Sequence, residues 1–310
     1  MAVRKTFSKF KAIGRLKENK LELISDKFDD GTPKNTIRGR FVLAVGEGEY
    51  QFDVFTSDKF NSDDEINSNY SSLVELKSCG LDTPVEVVFK TDRYNDYPNK
   101  RGTLTSIDVL NVITAKILNE PSDDEKIEGE IEGMITKIIP EFYKEEETGR
   151  LKVEVTGVGQ KEKAVPHQLI VEEENSQLFG DGADYKLGTL STFDVKIVTT
   201  RYGNVQTERV GGFGRKADIS SGFTRQEWII FGAESPVEEE QVNRDGKPLY
   251  IDPKEIKNLL EERKIELEQI LKESKNKTPK AKGGKQSFKA MSKASTADNN
   301  PFDIGENPFL

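Results

Sequence analysis

Cysteine and histidine are almost missing from this 310-residue chain. Cys79 stands alone, so no internal disulfide framework can form, and His167 stands alone, which excludes a zinc site of the ordinary histidine and cysteine type. Long apolar runs are missing too. The opening Met-Ala-Val-Arg-Lys-Thr-Phe holds no signal-peptide core, and nowhere do about 18 apolar residues follow one another. Neither secretion nor a membrane span is expected, and the cysteine usage is compatible with a reducing cytoplasm, the location expected here. Hydrophobic residues make up only 34% against 33% charged, too lean for one fully packed body, so part of the chain is expected to be solvated.

The usual signs of catalysis are also absent. The acid pairs Asp29-Asp30, Asp63-Asp64 and Asp123-Asp124 lie in polar loops without a convergent apolar pocket, and no nucleophile stands beside a base. A glycine-rich stretch exists, but without Gly-Lys-Ser/Thr and without a following helix it is not a nucleotide-phosphate loop. The expectation is no enzyme, no cofactor and no metal.

What is present is charge, unevenly placed. The net charge is −9, yet residues 1 to 40 hold 11 Lys and Arg against 5 Asp and Glu, and residues 274 to 297 hold 7 lysines and no acid. Residues 121 to 250 are acidic, with 16 bases against 26 acids. An acidic average therefore leaves room for a polyanionic partner.

A short pattern occurs twice. Val87, Thr91, Arg93 and Tyr94 recur as Val195, Thr199, Arg201 and Tyr202, each time as a β-rich run breaking into a turn. Ile13-Gly14-Arg15-Leu16 is echoed by Glu132-Gly133-Met134-Ile135, with a glycine inside a strand pattern where a strand must bend. The length suits two domains plus a tail, so the expected fold class is mainly β: two related β-domains in tandem.

The first domain, residues 1 to 118, opens with a strand at Phe7 to Leu16 that continues past a turn at Glu18-Asn19. In Ile37 to Val45 the alternation puts Ile37, Phe41, Leu43 and Val45 inward and Arg38 and Arg40 outward. A hairpin returns through Tyr50, Phe52 and Val54, leaving Phe55 outward. Ser72-Leu-Val-Glu75 begins a short helix that stops at Gly80. Strands at Val85 to Lys90 and Thr103 to Val112 follow, joined by a loop carrying Arg93, Tyr94, Tyr97, Lys100 and Arg101. Three strands, a helix and two strands is the order of the OB-fold, a five-stranded Greek-key barrel that binds oligonucleotides on strands 2 and 3 and on the loops joining strands 1–2 and 4–5. Cations track phosphates and aromatic faces stack on unpaired bases, which makes Arg38, Arg40, Phe55 and the loop residues candidates for nucleic-acid contact.

A Pro-containing acidic linker at 119–125 leads to a second domain, residues 126–235, with the same strand plan and a poorly signalled helix near Asn175 to Leu178. His167 sits mid-strand and alternation turns it inward. Between its last two strands lies a glycine-rich loop in which Arg201, Arg209, Arg215 and Lys216 interleave with Tyr202 and Phe213. The rest of this domain is acidic, so the two barrels are expected to contribute unequally.

Residues 236–274 hold a connector and a helix that starts at Asp252-Pro253, with Ile256, Leu259, Leu260, Leu267, Ile270 and Leu271 as its apolar stripe. Residues 275–297 read as a disordered Lys-rich linker. The last 13 residues, 298–310, carry three acids, no base and Asn-Pro-Phe twice.

With that tail the chain resembles the bacterial and phage single-stranded-DNA-binding proteins, in which an OB barrel covers the strand and a disordered linker ends in an acidic Pro-Phe tail. The resemblance implies that Asp298, Asp303, Glu306, Pro308 and Phe309, with Pro301 and Phe302 as a second copy, dock replication or recombination proteins such as a helicase, primase or polymerase. It departs from the family in ending Phe-Leu and in placing two barrels on one polypeptide, which favours a monomer of phage type. The expected function is coating and protecting single-stranded DNA. A structural or adaptor protein built from such barrels, and an RNA-binding protein, are the competing expectations.

Overall fold

The computed structural model describes residues 3–27, 33–59, 67–92, 94–99, 103–122, 124–143, 145–202, 205–209, 216–220 and 223–276. Strands β1 (Ser8–Lys27), β2 (Pro33–Val45) and β3 (Gly48–Asp58) precede helix α1 (Ser68–Lys77) and strand β4 (Pro84–Lys90). A small hairpin, β5 (Tyr94–Pro98) and β6 (Leu104–Asp108), separates β4 from β7 (Asn111–Ile117). Next come β8 (Lys126–Tyr143), β9 (Glu146–Val158), β10 (Ala164–Val171), a 3-10 turn at Glu173–Leu178, and β11 (Leu190–Tyr202). A second hairpin, β12 (Val205–Arg209) and β13 (Lys216–Ser220), is followed by β14 (Phe223–Ala233) and helix α2 (Pro253–Asn276). No helix among the described residues is long and apolar enough to cross a membrane.

The alternation in β2 and β3 does what the sequence predicts. Ile37, Phe41, Leu43, Tyr50, Phe52 and Val54 are buried while Arg38, Arg40 and Phe55 face out. β1 pairs with β2, β2 with β3, β3 runs parallel to β7, β7 pairs with β4, and β4 returns to β1, which closes a five-stranded barrel with OB order. Helix α1 plugs this barrel with Leu73 and Leu76, and Asn67 caps its N-terminus by accepting the Asn69 backbone N–H at 3.0 Å.

Three sequence expectations need correction here. β1 is one strand of 20 residues rather than two pieces around a turn. A bulge between Leu16 and Glu18 takes up the bend, and the Asn19 side chain donates to the Leu76 carbonyl at 2.9 Å, a second bond to an acceptor that also takes the Cys79 backbone N–H at the end of α1. The helix starts four residues before Ser72, because Asn67 supplies the cap. The strand expected at Thr103 to Val112 is split between the inserted hairpin and β7.

Strands β8 to β14 repeat the pairing order: β8 with β9, β9 with β10, β10 parallel to β14, β14 with β11, and β11 with β8. The bulge of β1 recurs in β8 between Ile135 and Lys137, 119 residues later, the spacing that separates Gly14 from Gly133. Both glycines serve one purpose. A Cβ on Gly14 would stand 2.3 Å from the Ala44 carbonyl oxygen, and one on Gly133 would stand 3.0 Å from that of Thr156, the residue in the same register position. The Thr-x-Arg-Tyr echo fares less well. Phe89 pairs with Phe10 and Val195 with Gly129, so Val195 answers Phe89, and Thr91 answers Ile197 rather than Thr199.

The two strand sets are joined by more than the linker. β1 and β8 pair antiparallel from Ser8↔Ile131 to Ile13↔Lys126, making one continuous sheet. Phe10 stacks on Phe89 at 5.3 Å and meets the edge of Trp228 at 5.5 Å, so a single aromatic core crosses the junction. The N-terminal strap adds a bidentate Arg4–Glu132 pair at 2.7 and 3.0 Å.

Candidate nucleic-acid interface

Arg38, Arg40 and Phe55 converge. With Lys20, Glu22, Gly39, Asp53 and Val54 they line an open groove of about 490 Å³ across β1, β2 and β3. Cross-strand register explains the convergence: Lys20 lies opposite Arg40, Glu22 opposite Arg38, and Arg40 opposite Asp53. Gly39 makes the floor. Its φ is +130°, and a Cβ there would stand 2.2 Å from the Lys20 carbonyl oxygen, so no other residue fits between the two arginines without strain. A β2 bulge between Ile37 and Gly39 sets Arg38 at the rim.

Lys20 is ion-paired with Glu18, whereas Arg38 and Arg40 have no ion pair among the described residues. The hydrogen bond from Lys20 holds the Glu18 carboxyl below its usual value; desolvation opposes it, and the Lys20 and Arg40 charges add to the lowering. Phe55 is 44% exposed beside the two guanidinium groups. An anionic polymer with apolar faces is the ligand that such a surface can contact with both kinds of side chain.

The hairpin β5–β6 is placed elsewhere. Tyr94, expected to project from the loop between strands 4 and 5, is packed at the junction of the two strand sets. Its hydroxyl donates to the Pro166 carbonyl, and the Arg263 guanidinium lies over its ring at 4.6 Å. Burial, with the Asp108 carboxylate close by, pushes the hydroxyl well above its ordinary pKa, so it stays a donor. Arg263 on α2 also forks onto Asp96 at 3.0 and 3.3 Å, and His167 stacks on Trp228 at 5.9 Å with its Nδ1 3.2 Å from Asp108. The ring is partly buried, with Arg263 over one face. Tyr97, on the same hairpin, is 40% exposed.

Arg93, Lys100 and Arg101 lie outside the described residues, as do Phe213, Arg215 and the whole tail with Asp298, Pro301, Phe302, Asp303, Glu306, Pro308 and Phe309. Arg201 and Tyr202 end β11, and Arg209 on β12 is opposite Lys216 on β13.

Sequence reading did not anticipate Lys20, Glu22, Gly39 and Asp53 in the groove. The signal was available in Arg-Gly-Arg: a glycine inside a strand pattern marks a bulge or a close approach. It also missed a buried ion cluster on the second strand set. There Glu141, 2% exposed, pairs with Arg150 at 3.2 Å, with Arg225, and with Lys152 at 3.9 Å. Arg150 reaches Glu172 and Glu227 at 3.1 Å each. Burial raises the Glu141 carboxyl pKa, but the Arg225 hydrogen bond and the Arg150, Arg225 and Lys152 charges outweigh it and hold the group below 4.5. Among the described residues no group of three or more His, Cys, Asp or Glu could hold a metal ion.

The fold and groove together define a mainly β protein built on an OB-like barrel with a cationic, partly aromatic outer face. A family model described as YorF matches residues 8–274, and the chain belongs to that family. Among solved structures it is similar to the wild-type single-stranded DNA binding protein from Thermus aquaticus, at 10% identity over 79% of this chain and 100% of that one, with a TM-score of 0.40. A deletion mutant of the same Thermus protein gives 10% identity over 78% and 98%, with a TM-score of 0.41. No curated protein matches the sequence.

Proposed function

We propose that this chain is a tandem of two OB barrels that binds single-stranded DNA, coating and protecting it during replication or recombination, in a phage-type setting. The observation that carries the reading is the convergence of Arg38, Arg40 and Phe55 on one open groove over the outer face of β1, β2 and β3. Guanidinium groups follow phosphates, and an exposed ring beside them gives a base a stacking surface that every base can use. The action is passive: the strand is held, and no bond is made or broken. The acidic Pro-Phe tail, residues 298–310, is proposed to recruit replication or recombination proteins. A monomer in the host cytoplasm is the expected working form.

The test is fluorescence anisotropy of a labelled oligo-dT, titrated against salt with duplex DNA as competitor. Strong preference for the single strand, weakening steeply as salt rises, is expected. Phe55→Ala should cost about 1–3 kcal/mol of binding, the range for one stacked base. Absence of binding at low salt would refute the reading, and equal affinity for duplex would point to a general polyanion binder. An oligo-U bound more tightly than oligo-dT would make RNA the ligand.

A further inference from the structure

The two strand sets carry the same positions on their outer faces but use them in opposite ways. Matching the registers across the shared bulge places Lys152 on Arg40, Arg150 on Arg38, Glu141 on Glu22 and Glu172 on Phe55. In the first set these positions line an open groove of about 490 Å³. In the second, Glu141, Arg150, Lys152 and Glu172 at the matching positions are tied up in ion pairs, and Lys152, with Ile170 opposite it, borders a pit of about 60 Å³ whose other walls are Gln168 and Arg225, Gln226, Glu227 and Trp228 of β14.

Three carboxylates make the difference. Glu141, Glu172 and Glu227 each take an edge of the Arg150 guanidinium, Arg225 bridges Glu141 and Glu227, and Lys152 leans on Glu141. Three bases face three acids, so the cluster is neutral. The cause is local. Pro140 sits in β8 where it cannot donate to the ladder, the register slips between Pro140 and Phe142, and the bulge turns Glu141 in until it is 2% exposed. Glu22, in unbulged strand, lines the rim of the groove instead.

We propose that strand binding is one-sided: the first barrel supplies the working face, while Glu141, Glu172 and Glu227 occupy the phosphate positions of the second and hold it shut as a latent polyanion site. The proposal rests on the single-strand reading above and names which half of the chain performs it. Carboxylates paired with Arg150 and Arg225 occupy guanidinium edges that a phosphate would need.

The full-length chain and oligo-dT test it through the slope of log K against log salt, which counts phosphates neutralised at about 0.7 per contact on a single strand. Arg38→Ala/Arg40→Ala should flatten the slope by about 1.4. Glu141→Gln/Glu227→Gln should steepen it by about as much, because two guanidinium groups become available. If that double variant does not fold, judged by circular dichroism, Glu172→Gln takes its place. Glu172 is 37% exposed, and freeing one edge of Arg150 should steepen the slope by about 0.7. A wild-type slope in Arg38→Ala/Arg40→Ala, or no steepening in a folded glutamine variant, overturns the one-sided scheme while wild-type binding stands. A wild-type chain that does not bind overturns it together with the single-strand reading.

Discussion

Replacing Arg263 with alanine should release the β5–β6 hairpin without unfolding the barrel beneath it. Arg263 makes two hydrogen bonds to Asp96 and lies 4.6 Å above the Tyr94 ring. A hydrogen bond to a charged group is worth about 1.5–3 kcal/mol and a cation–π contact about 0.5–2. The two side chains of the pair are 13% and 15% exposed, so some screening remains, and roughly 2–3 kcal/mol in all is a reasonable loss. That energy holds a surface hairpin rather than the core. It should therefore appear as local opening, with the paired amides of Tyr94–Pro98 and Leu104–Asp108 exchanging with deuterium about 30- to 150-fold faster, while those of β2 and β3 keep their rates. Arg263→Lys keeps the charge but loses the fork, and should give about half the effect in free energy. Hairpin amides that exchange at the wild-type rate in a folded Arg263→Ala chain would refute the assignment of α2 as the clamp.

Four further outcomes follow from the geometry. Gly39→Ala should lower stability by about 2–4 kcal/mol, read as a lower urea midpoint, since it combines a positive φ with a cross-strand clash; an unchanged midpoint would refute the close-approach argument. In a thermal melt Gly14→Ala should cost more than Gly133→Ala, because its Cβ meets a backbone carbonyl at 2.3 Å where the nearest atom to Gly133 is a Val155 methyl at 2.7 Å; the reverse order would count against equivalence of the two bends. The Glu141 carboxyl is held below 4.5, so its stabilising contribution is present above that pH and lost as pH falls through the depressed folded value; wild type should lose stability below about pH 4.5 more steeply than Glu141→Gln, and parallel curves would sink the claim. Removing residues 298–310 should leave oligo-dT affinity unchanged or slightly tighter, since an acidic tail competes with DNA for basic surface, and clear weakening would argue against that role.

Much of the fold was legible because alternation is a strong signal. Ile37 to Val45 and Tyr50 to Val54 could be assigned inward and outward residue by residue, and that placed Arg38, Arg40 and Phe55 on one face. His167 was correctly turned inward, where it stacks on Trp228, and Pro253 marked the first residue of α2. Tertiary contacts were less accessible. Nothing local in Asn-Asp-Tyr says that Tyr94 will be pinned by Arg263, 169 positions away in the chain, or that Glu18-Asn19 will be a bulge capping a helix rather than a turn. The ion cluster around Glu141 was hidden for a similar reason, since its members come from β8, β9, β14 and the end of β10. Pro140 inside a strand pattern was the one local clue.

The antiparallel pairing of β1 with β8 also bears on how such a chain diverges. When two identical subunits meet through their first strands, every mutation appears twice, and a substitution that closes one face closes both. Joined on one polypeptide, the halves are held together at any dilution, and each inherits its changes alone. A proline at position 140 could then reshape one outer surface while Gly39, at the other, kept its arginines open to solvent.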